Sequence, residues 1–172
     1  MRFFKKLFVG VVVALCFCSG CSKGPEKPQG FPELFPCQIT ITQGGSPLES
    51  AHVVLFPKTG RSNGWSTEGL TDANGVAEMK THADFKGAPA GDYIVRVSKI
   101  ALSPSDLPAT EPTDPVEYEK WYNARQLEKR IKYRLVKAEF DDMTKTPLAI
   151  TIASGKNEAI FDVGEPIQEA IK

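Results

Sequence analysis

The chain has 172 residues, of which 21 are Lys or Arg and 21 are Asp or Glu, so its formal net charge is +0. Phosphate backbones are bound by clustered positive charge, and this balanced composition offers no such excess, so we do not expect nucleic acid as a partner. The length suits one domain with its own hydrophobic core.

The first 20 residues have the layout of a secretory signal peptide. The segment begins with the basic residues Arg2, Lys5 and Lys6, and an apolar run over residues 7–17 follows. Two small residues, 19 and 20, then precede Cys21. This order resembles the lipobox of bacterial lipoproteins, in which the cysteine receives a diacylglycerol and becomes an acylated N-terminus. A transmembrane anchor is the alternative, but the apolar run is far short of the ~20 residues that span a bilayer.

The resemblance implies a signal peptide over 1–20, lipidation at Cys21, and a covalent diacylglycerol plus a palmitate-type N-acyl chain as the one expected non-protein group. Two or more acyl chains hold a protein stably on a lipid bilayer. We therefore expect a lipid-anchored protein of the cell envelope. Ser22, rather than Asp, follows the lipidated cysteine. By analogy with two-membrane bacteria, this favours the outer membrane or cell surface over the inner membrane.

Residues 21–36 are predicted to be a lipidated, Pro-rich tether. Four prolines and two glycines prevent a regular helix or sheet, and ~3.1 Å per residue gives a reach of about 45 Å. Phe31, Leu34 and Phe35 are apolar, so the last part of this segment can fold back onto the domain. Cys37 is the remaining thiol once Cys21 carries lipid. It opens an apolar strand, and we expect it to be buried as a small hydrophobic residue.

The chain from residue 37 reads as β-structure with turn signals between short apolar runs. Predicted strands cover 37–42, 51–56, 65–71, 76–81, 92–99, 148–152 and 158–163. Regular short strands separated by turns predict an all-β fold, a seven-stranded antiparallel sandwich over 37–163. Residues 164–172 are predicted to be a C-terminal tail.

Three motifs occur in a recognisable order. Residues 45–53 fit the pattern GxPLxxAxV, residues 71–75 fit TDxxG, and residues 89–93 fit pxGxY. Together they resemble transthyretin-like (Ig-like, prealbumin-like) domains of the carboxypeptidase-regulatory-like type, and small bacterial lipoproteins built around one such domain. The resemblance covers roughly 37–99 and 133–163. It implies a structural or binding module without chemistry of its own.

The motif residues are expected to shape turns and to pack in the core. We expect Gly45 and Pro47 to shape the first turn, and Asp72 to accept hydrogen bonds from backbone N–H groups of its own turn. Gly75 supplies a backbone conformation that other residues avoid. Gly91 leads into the next strand. Tyr93 is expected to bury its ring and keep its hydroxyl on a partner.

An insert at about 100–145 precedes the last two predicted strands. Residues 116–131 favour a helix, with Asp114 as N-cap and Pro115 in the first turn. A buried stripe is predicted from the helical period: Trp121, Ala124, Leu127, Ile131 and Leu135. The helix is either a partner-binding lid or a cover for an exposed sheet face. Tyr118 and Tyr122 project away from the stripe and are the predicted partner-binding residues.

A basic run, residues 129–137, follows in the insert: Lys129, Arg130, Lys132, Arg134 and Lys137. It either meets an anionic glycan or lipid headgroups, or forms a solvated face.

No enzyme signature is present in the sequence, so we expect no catalytic residues. Neither a Ser-His-Asp set nor a phosphate loop nor a dinucleotide glycine motif occurs. His52 and His82 stand apart, without cysteines or paired carboxylates at ligand spacing, so no metal site is predicted.

Two functional hypotheses remain open at this point. In the first, the domain is a membrane-tethered binding or structural module for another envelope protein or a polysaccharide. In the second, it is a structural accessory subunit of a membrane transport or export complex.

Overall fold

A computed structural model describes residues 26–59 and 65–171. The predicted signal peptide and the predicted lipidation site Cys21 lie outside these residues. The chain divides after Gly30, and every element below belongs to the compact unit Phe31–Lys172.

The described residues are mostly β, with several antiparallel sheets and few helices. In chain order the strands are β1 (Leu34–Phe35), β2 (Cys37–Gln43), β3 (Ser46–Pro47), β4 (His52–Pro57), β5 (Thr67–Leu70), β6 (Val76–Glu78), β7 (Lys80–Thr81), β8 (Phe85–Lys86), β9 (Ala88–Pro89), β10 (Gly91–Ser98), β11 (Ile100–Leu102), β12 (Lys132–Arg134), β13 (Ala149–Ile152), β14 (Asn157–Asp162) and β15 (Glu169–Ile171). The helices are α1 (Pro115–Leu127) and α2 (Ala138–Asp141).

Two main sheets and two small ones account for these strands. The larger, six-stranded sheet has the order β13-β10-β4-β5-β7-β8, and each neighbouring pair is antiparallel. The four-stranded sheet has the order β14-β2-β3, with β6 also paired to β2. A three-stranded sheet joins β11, β12 and β15, and β1 pairs with β9.

One hydrophobic core draws on the inward faces of both main sheets. Alternate residues of β2, including Ile39 and Ile41, are fully buried, as are Val95 and Val97 of β10. This alternation follows from the two-residue period of a strand, which sends successive side chains to opposite faces. The arrangement is consistent with the expected all-β sandwich.

All seven predicted strands are found, with ends within two residues of the predicted positions. The segment 76–81, predicted as one strand, is divided between the two main sheets. Its first part, β6, pairs with β2, and its second part, β7, pairs with β5. Met79 lies between them and is fully buried, so the chain changes sheets at a residue that fills the core.

The prediction of a purely antiparallel fold is wrong at one pair. β14 runs parallel to β2, with Asn157 opposite Cys37 and Asp162 opposite Thr42. The preceding strand, β13, pairs instead with β10 in the six-stranded sheet. The turn between β13 and β14 therefore carries the chain from one main sheet to the other, and the direction of β14 follows from that crossing.

Short strands extend the β-structure into both predicted flanking segments. Within the tether, β1 pairs with β9, and Phe35 packs against the core. Within the predicted C-terminal tail, β15 pairs with β12. Neither strand has the alternating apolar run from which the longer strands were predicted.

The first two motif turns are tight and hydrogen-bonded. Gly44 and Gly45 have φ values of 57° and 78°. Two consecutive positive values are what a two-residue type I′ hairpin loop requires. Asp72 Oδ1 accepts from the backbone N–H groups of Asn74 and Val76, each at 2.9 Å. These bonds, the one from Val76 above all, hold the pKa of Asp72 below its usual value.

Gly75→Ala is expected to destabilise the domain more than Gly45→Ala. The two glycines have similar φ values, 74° and 78°. A Cβ at position 75 would lie 2.5 Å from the Ile41 carbonyl oxygen, whereas one at position 45 meets nothing within 4 Å. The left-handed backbone costs about 1–2 kcal/mol in both variants, and the clash adds about 1–3 kcal/mol at position 75. Urea unfolding of both variants measures the difference, and equal losses would contradict the clash.

Candidate functional site

Helix α1 begins where the sequence predicts and ends earlier. Asp114 Oδ1 accepts from the backbone N–H groups of Val116 and Glu117, each at 3.0 Å, so Asp114 is the N-cap. The helix ends at Leu127 because Glu128 is extended. The Glu128 carboxylate accepts instead from Ser105 Oγ at 2.6 Å and from the backbone N–H of Asp106 at 3.2 Å.

The predicted buried stripe of the helix is wrong. No residue of α1 is buried, and the Leu127 and Ile131 side chains are 79% and 51% exposed. Of the two alternatives for this helix, a cover for a sheet face would require buried residues, and α1 has none. Helix α2 lies against β10 and contributes Phe140 to the core.

Polar contacts hold α1 and its flanking segments together. Arg130 donates through Nε, at 2.7 Å, and through Nη2 to the Ser103 carbonyl. Trp121 Nε1 and Arg125 Nη2 both donate to the Pro108 carbonyl, at 2.9 Å and 3.3 Å. With the Glu128 contacts, these bonds tie the helix to the segment that leads into it.

Helix α1 carries a row of aromatic rings. The Tyr118 ring centroid lies 6.2 Å from that of Tyr122 and 6.0 Å from that of Trp121. The Arg125 guanidinium lies 4.7 Å above the Trp121 ring, within cation–π range. Tyr118 and Tyr122, the predicted partner-binding residues, are 40% and 48% exposed.

Exposed apolar side chains are concentrated in this part of the chain. Among the described residues, ten large hydrophobic side chains are exposed, and seven of them lie between positions 100 and 131. These seven are Ile100, Leu102, Val116, Tyr118, Tyr122, Leu127 and Ile131. We call them, with Trp121, the insert surface.

The basic run of the insert is not one continuous cationic face. Arg130 is bound to Ser103, as above, and Arg134 Nη1 lies 3.6 Å from Glu169 Oε2 of β15. Lys129, Lys132 and Lys137 are exposed. The middle of the run, Lys132–Arg134, forms strand β12.

The two histidines occupy separate places. His52 Nε2 lies 3.0 Å from Glu68 Oε2 across neighbouring strands. The His82 ring lies edge-on to Trp65, with centroids 5.3 Å apart. Within residues 26–59 and 65–171, no group of three or more His, Cys, Asp and Glu side chains is placed to hold a metal ion. In the same part of the chain, no helix has the length and apolarity needed to cross a bilayer.

Two titratable groups lie in the core. Cys37 is a free thiol, only 2% exposed, and burial raises its pKa to about 11. Tyr93 is buried and donates its hydroxyl to the Pro89 carbonyl at 3.0 Å. Desolvation by burial raises the pKa of Tyr93, and the nearby Cys37 thiol adds to this. Both groups are held in their neutral forms and serve packing.

Comparison of the chain with protein-family models, with curated proteins and with solved structures finds no match.

The Cys37 thiol is expected to resist alkylation in the folded protein. A thiol with a pKa of about 11 holds little thiolate at pH 8, and the thiolate is the reactive form. Iodoacetamide at pH 8 should leave Cys37 unmodified in native protein and modify it in urea, as read by mass spectrometry of the peptide that contains it. Rapid modification of the native protein would contradict the burial.

Proposed function

We propose that this protein is a non-catalytic binding module of the bacterial cell envelope, tethered through a lipidated Cys21, and that its insert surface docks another envelope protein. The observation that carries the proposal is the concentration of exposed apolar side chains between positions 100 and 131. A concentration of exposed apolar side chains on a folded domain typically marks an interaction site.

The composition of the insert surface supports a protein partner. Tyr118, Tyr122, Trp121 and Arg125 belong to the residue types that dominate binding hot spots. Aliphatic side chains accompany the rings, among them Val116 and Leu127, which are 60% and 79% exposed. A polysaccharide would use the ring faces but gain little from these aliphatic groups.

The internal bonds of the insert support docking without rearrangement. The ties from Trp121, Arg125 and Arg130 to backbone carbonyls order the insert before a partner arrives. Ordering that is already complete in the free protein does not reduce the affinity.

The transthyretin-like assignment and the envelope location are parts of the same proposal. The motif segments form the tight turn at Gly44 and Gly45, the Asp72 turn, and the strand entry in which Tyr93 bonds Pro89. These features fit the family that the sequence resembles. The location rests on the basic, apolar and Ser-Gly-Cys sequence of the first 21 residues.

Replacing Tyr118 and Tyr122 by Ala is expected to abolish partner capture without loss of stability, since both rings are exposed. A photoreactive amino acid at position 122 should give a discrete adduct in intact cells, and the double variant should lose the partner in co-purification. Position 160 is the matched control, because Ile160 is 75% exposed and lies outside the insert.

A single protein adduct at position 122, absent at position 160, supports the proposal. An adduct with one fixed membrane complex would identify the protein as an accessory subunit of that complex. Equal labelling at both positions, or unchanged capture by the double variant, would contradict a role for the insert surface.

Cys21→Ser is expected to release the protein from the membrane fraction, because the thiol that accepts the diacylglycerol is lost. Metabolic labelling with a radioactive fatty acid should mark the wild type and not the variant. Cys18→Ser is the control, since it removes a neighbouring thiol of the same segment. Lipid on the Cys21→Ser protein would overturn the assignment.

A further inference from the structure

A groove of about 530 Å³ is lined by residues that do not belong to the insert surface. Its volume falls in the range of about 300–1,000 Å³ that small-molecule sites occupy. Three elements line it: β10 through Arg96, β12 through Arg134, and α2 with its following loop through Asp141, Asp142 and Lys145.

Arg96 enters the groove with its donors incompletely used. Its Nε lies 3.3 Å from Asp141 Oδ1, an ion pair whose angle does not make a hydrogen bond. The guanidinium carbon lies 5.8 Å from the Phe56 ring centroid, which fixes the orientation of the side chain. The Nε atom is buried and has no hydrogen-bond acceptor among the described residues.

Arg134, which lines the groove from β12, also has an ion pair and a buried Nε without an acceptor. Its Nη1 lies 3.6 Å from Glu169 Oε2, which is beyond hydrogen-bond distance. Its Nε is also buried without an acceptor in the described part of the chain. A buried N–H without an acceptor costs about 1–3 kcal/mol, and the fold bears this cost at both arginines.

The acidic residues of the groove restrict which anion can enter. Asp142 accepts from Thr144 Oγ1 at 2.6 Å and from the Thr144 backbone N–H at 2.9 Å, and it pairs with Lys145. These contacts lower the pKa of Asp142 to about 2. Asp141 faces Arg96, and Glu139 also lines the groove. Three acids thus balance Arg96, Arg134 and Lys145, so the groove has no net positive charge with which to hold a multiply charged anion.

We propose that this groove binds a single carboxylate group, held by Arg96 and Arg134. A carboxylate carries one charge and matches the planar fork of a guanidinium, which makes two parallel hydrogen bonds to it. The carboxylate belongs either to a small organic acid or to an acidic peptide. This site does not depend on the insert surface, so it stands or falls separately from the docking function proposed above.

The proposal is tested by calorimetric titration of the full chain. The probes are acetate, the capped peptide acetyl-Gly-Glu-Gly-amide, its Gln counterpart, and inorganic phosphate. We expect saturable binding of acetate, of the Glu peptide, or of both, with no binding of the Gln peptide and weaker binding of phosphate. The probe that binds more tightly identifies the source of the carboxylate.

Arg134→Gln and Arg96→Gln should each weaken carboxylate binding by about tenfold, as expected for the loss of one charge-assisted hydrogen bond. Lys132→Gln is the matched control, because it removes one positive charge from the same strand without lining the groove. Thermal unfolding checks that the variants fold, and Arg134→Gln keeps the test decisive if Arg96→Gln does not fold.

Three outcomes would overturn the assignment. They are no saturable carboxylate binding by the wild type, equal binding of the Glu and Gln peptides or of phosphate, and equal weakening by Arg134→Gln and Lys132→Gln.

Discussion

Contact between the inward faces of the two main sheets is the constraint on which the rest of this structure depends. Ile39 and Ile41 on one sheet, with Val95 and Val97 on the other, are fully removed from water. Burial of a side chain of this size stabilises the fold by about 1.5–3 kcal/mol. The chain therefore has to alternate between sheets while keeping every second residue inward. The change of sheet at Met79 and the crossing from β13 to β14 both satisfy this requirement, and the parallel pairing of β14 with β2 is its result.

The insert around helix α1 does not take part in the packing between the two main sheets, and this explains why its apolar side chains are exposed. Its helix contributes no buried residue, so the position of α1 is set by hydrogen bonds to Ser103 and Pro108 rather than by apolar packing. Such a segment can expose tyrosines and leucines without disturbing the core. The main sheets accordingly support the insert, while its exposed side chains are not constrained by the packing of the core.

The sequence predicted the long strands well and the insert poorly, for one physical reason. Strands such as β2 and β10 alternate because one face is buried, and this alternation is visible in the sequence. Short strands such as β1 and β15 pair through only two or three residues, which is too few to show an alternation of apolar and polar side chains in the sequence. The helical period around Trp121 and Leu127 suggested burial, but a period shows only which side chains share a face. Whether that face meets a core depends on the rest of the fold.

The groove brings together Arg96 of β10 and Arg134 of β12, which are far apart in the sequence. No local sequence pattern could have predicted that these two residues line one groove.

The position of β2 has a mechanical consequence if the domain is anchored through Cys21, as proposed above. β2 lies in the interior of the four-stranded sheet, with β14 on one edge and β3 and β6 on the other. A pull on the tether first meets the two-residue pairing of β1 with β9, and then acts along the axis of β2. Ladder hydrogen bonds run across the strands, so tension along β2 loads both edges in shear and spreads over many bonds at once. The predicted tether thus joins the fold at a strand whose hydrogen bonds to both neighbours share the applied force. Strand β1 can separate from β9 first, which lengthens the segment between the anchor and the domain.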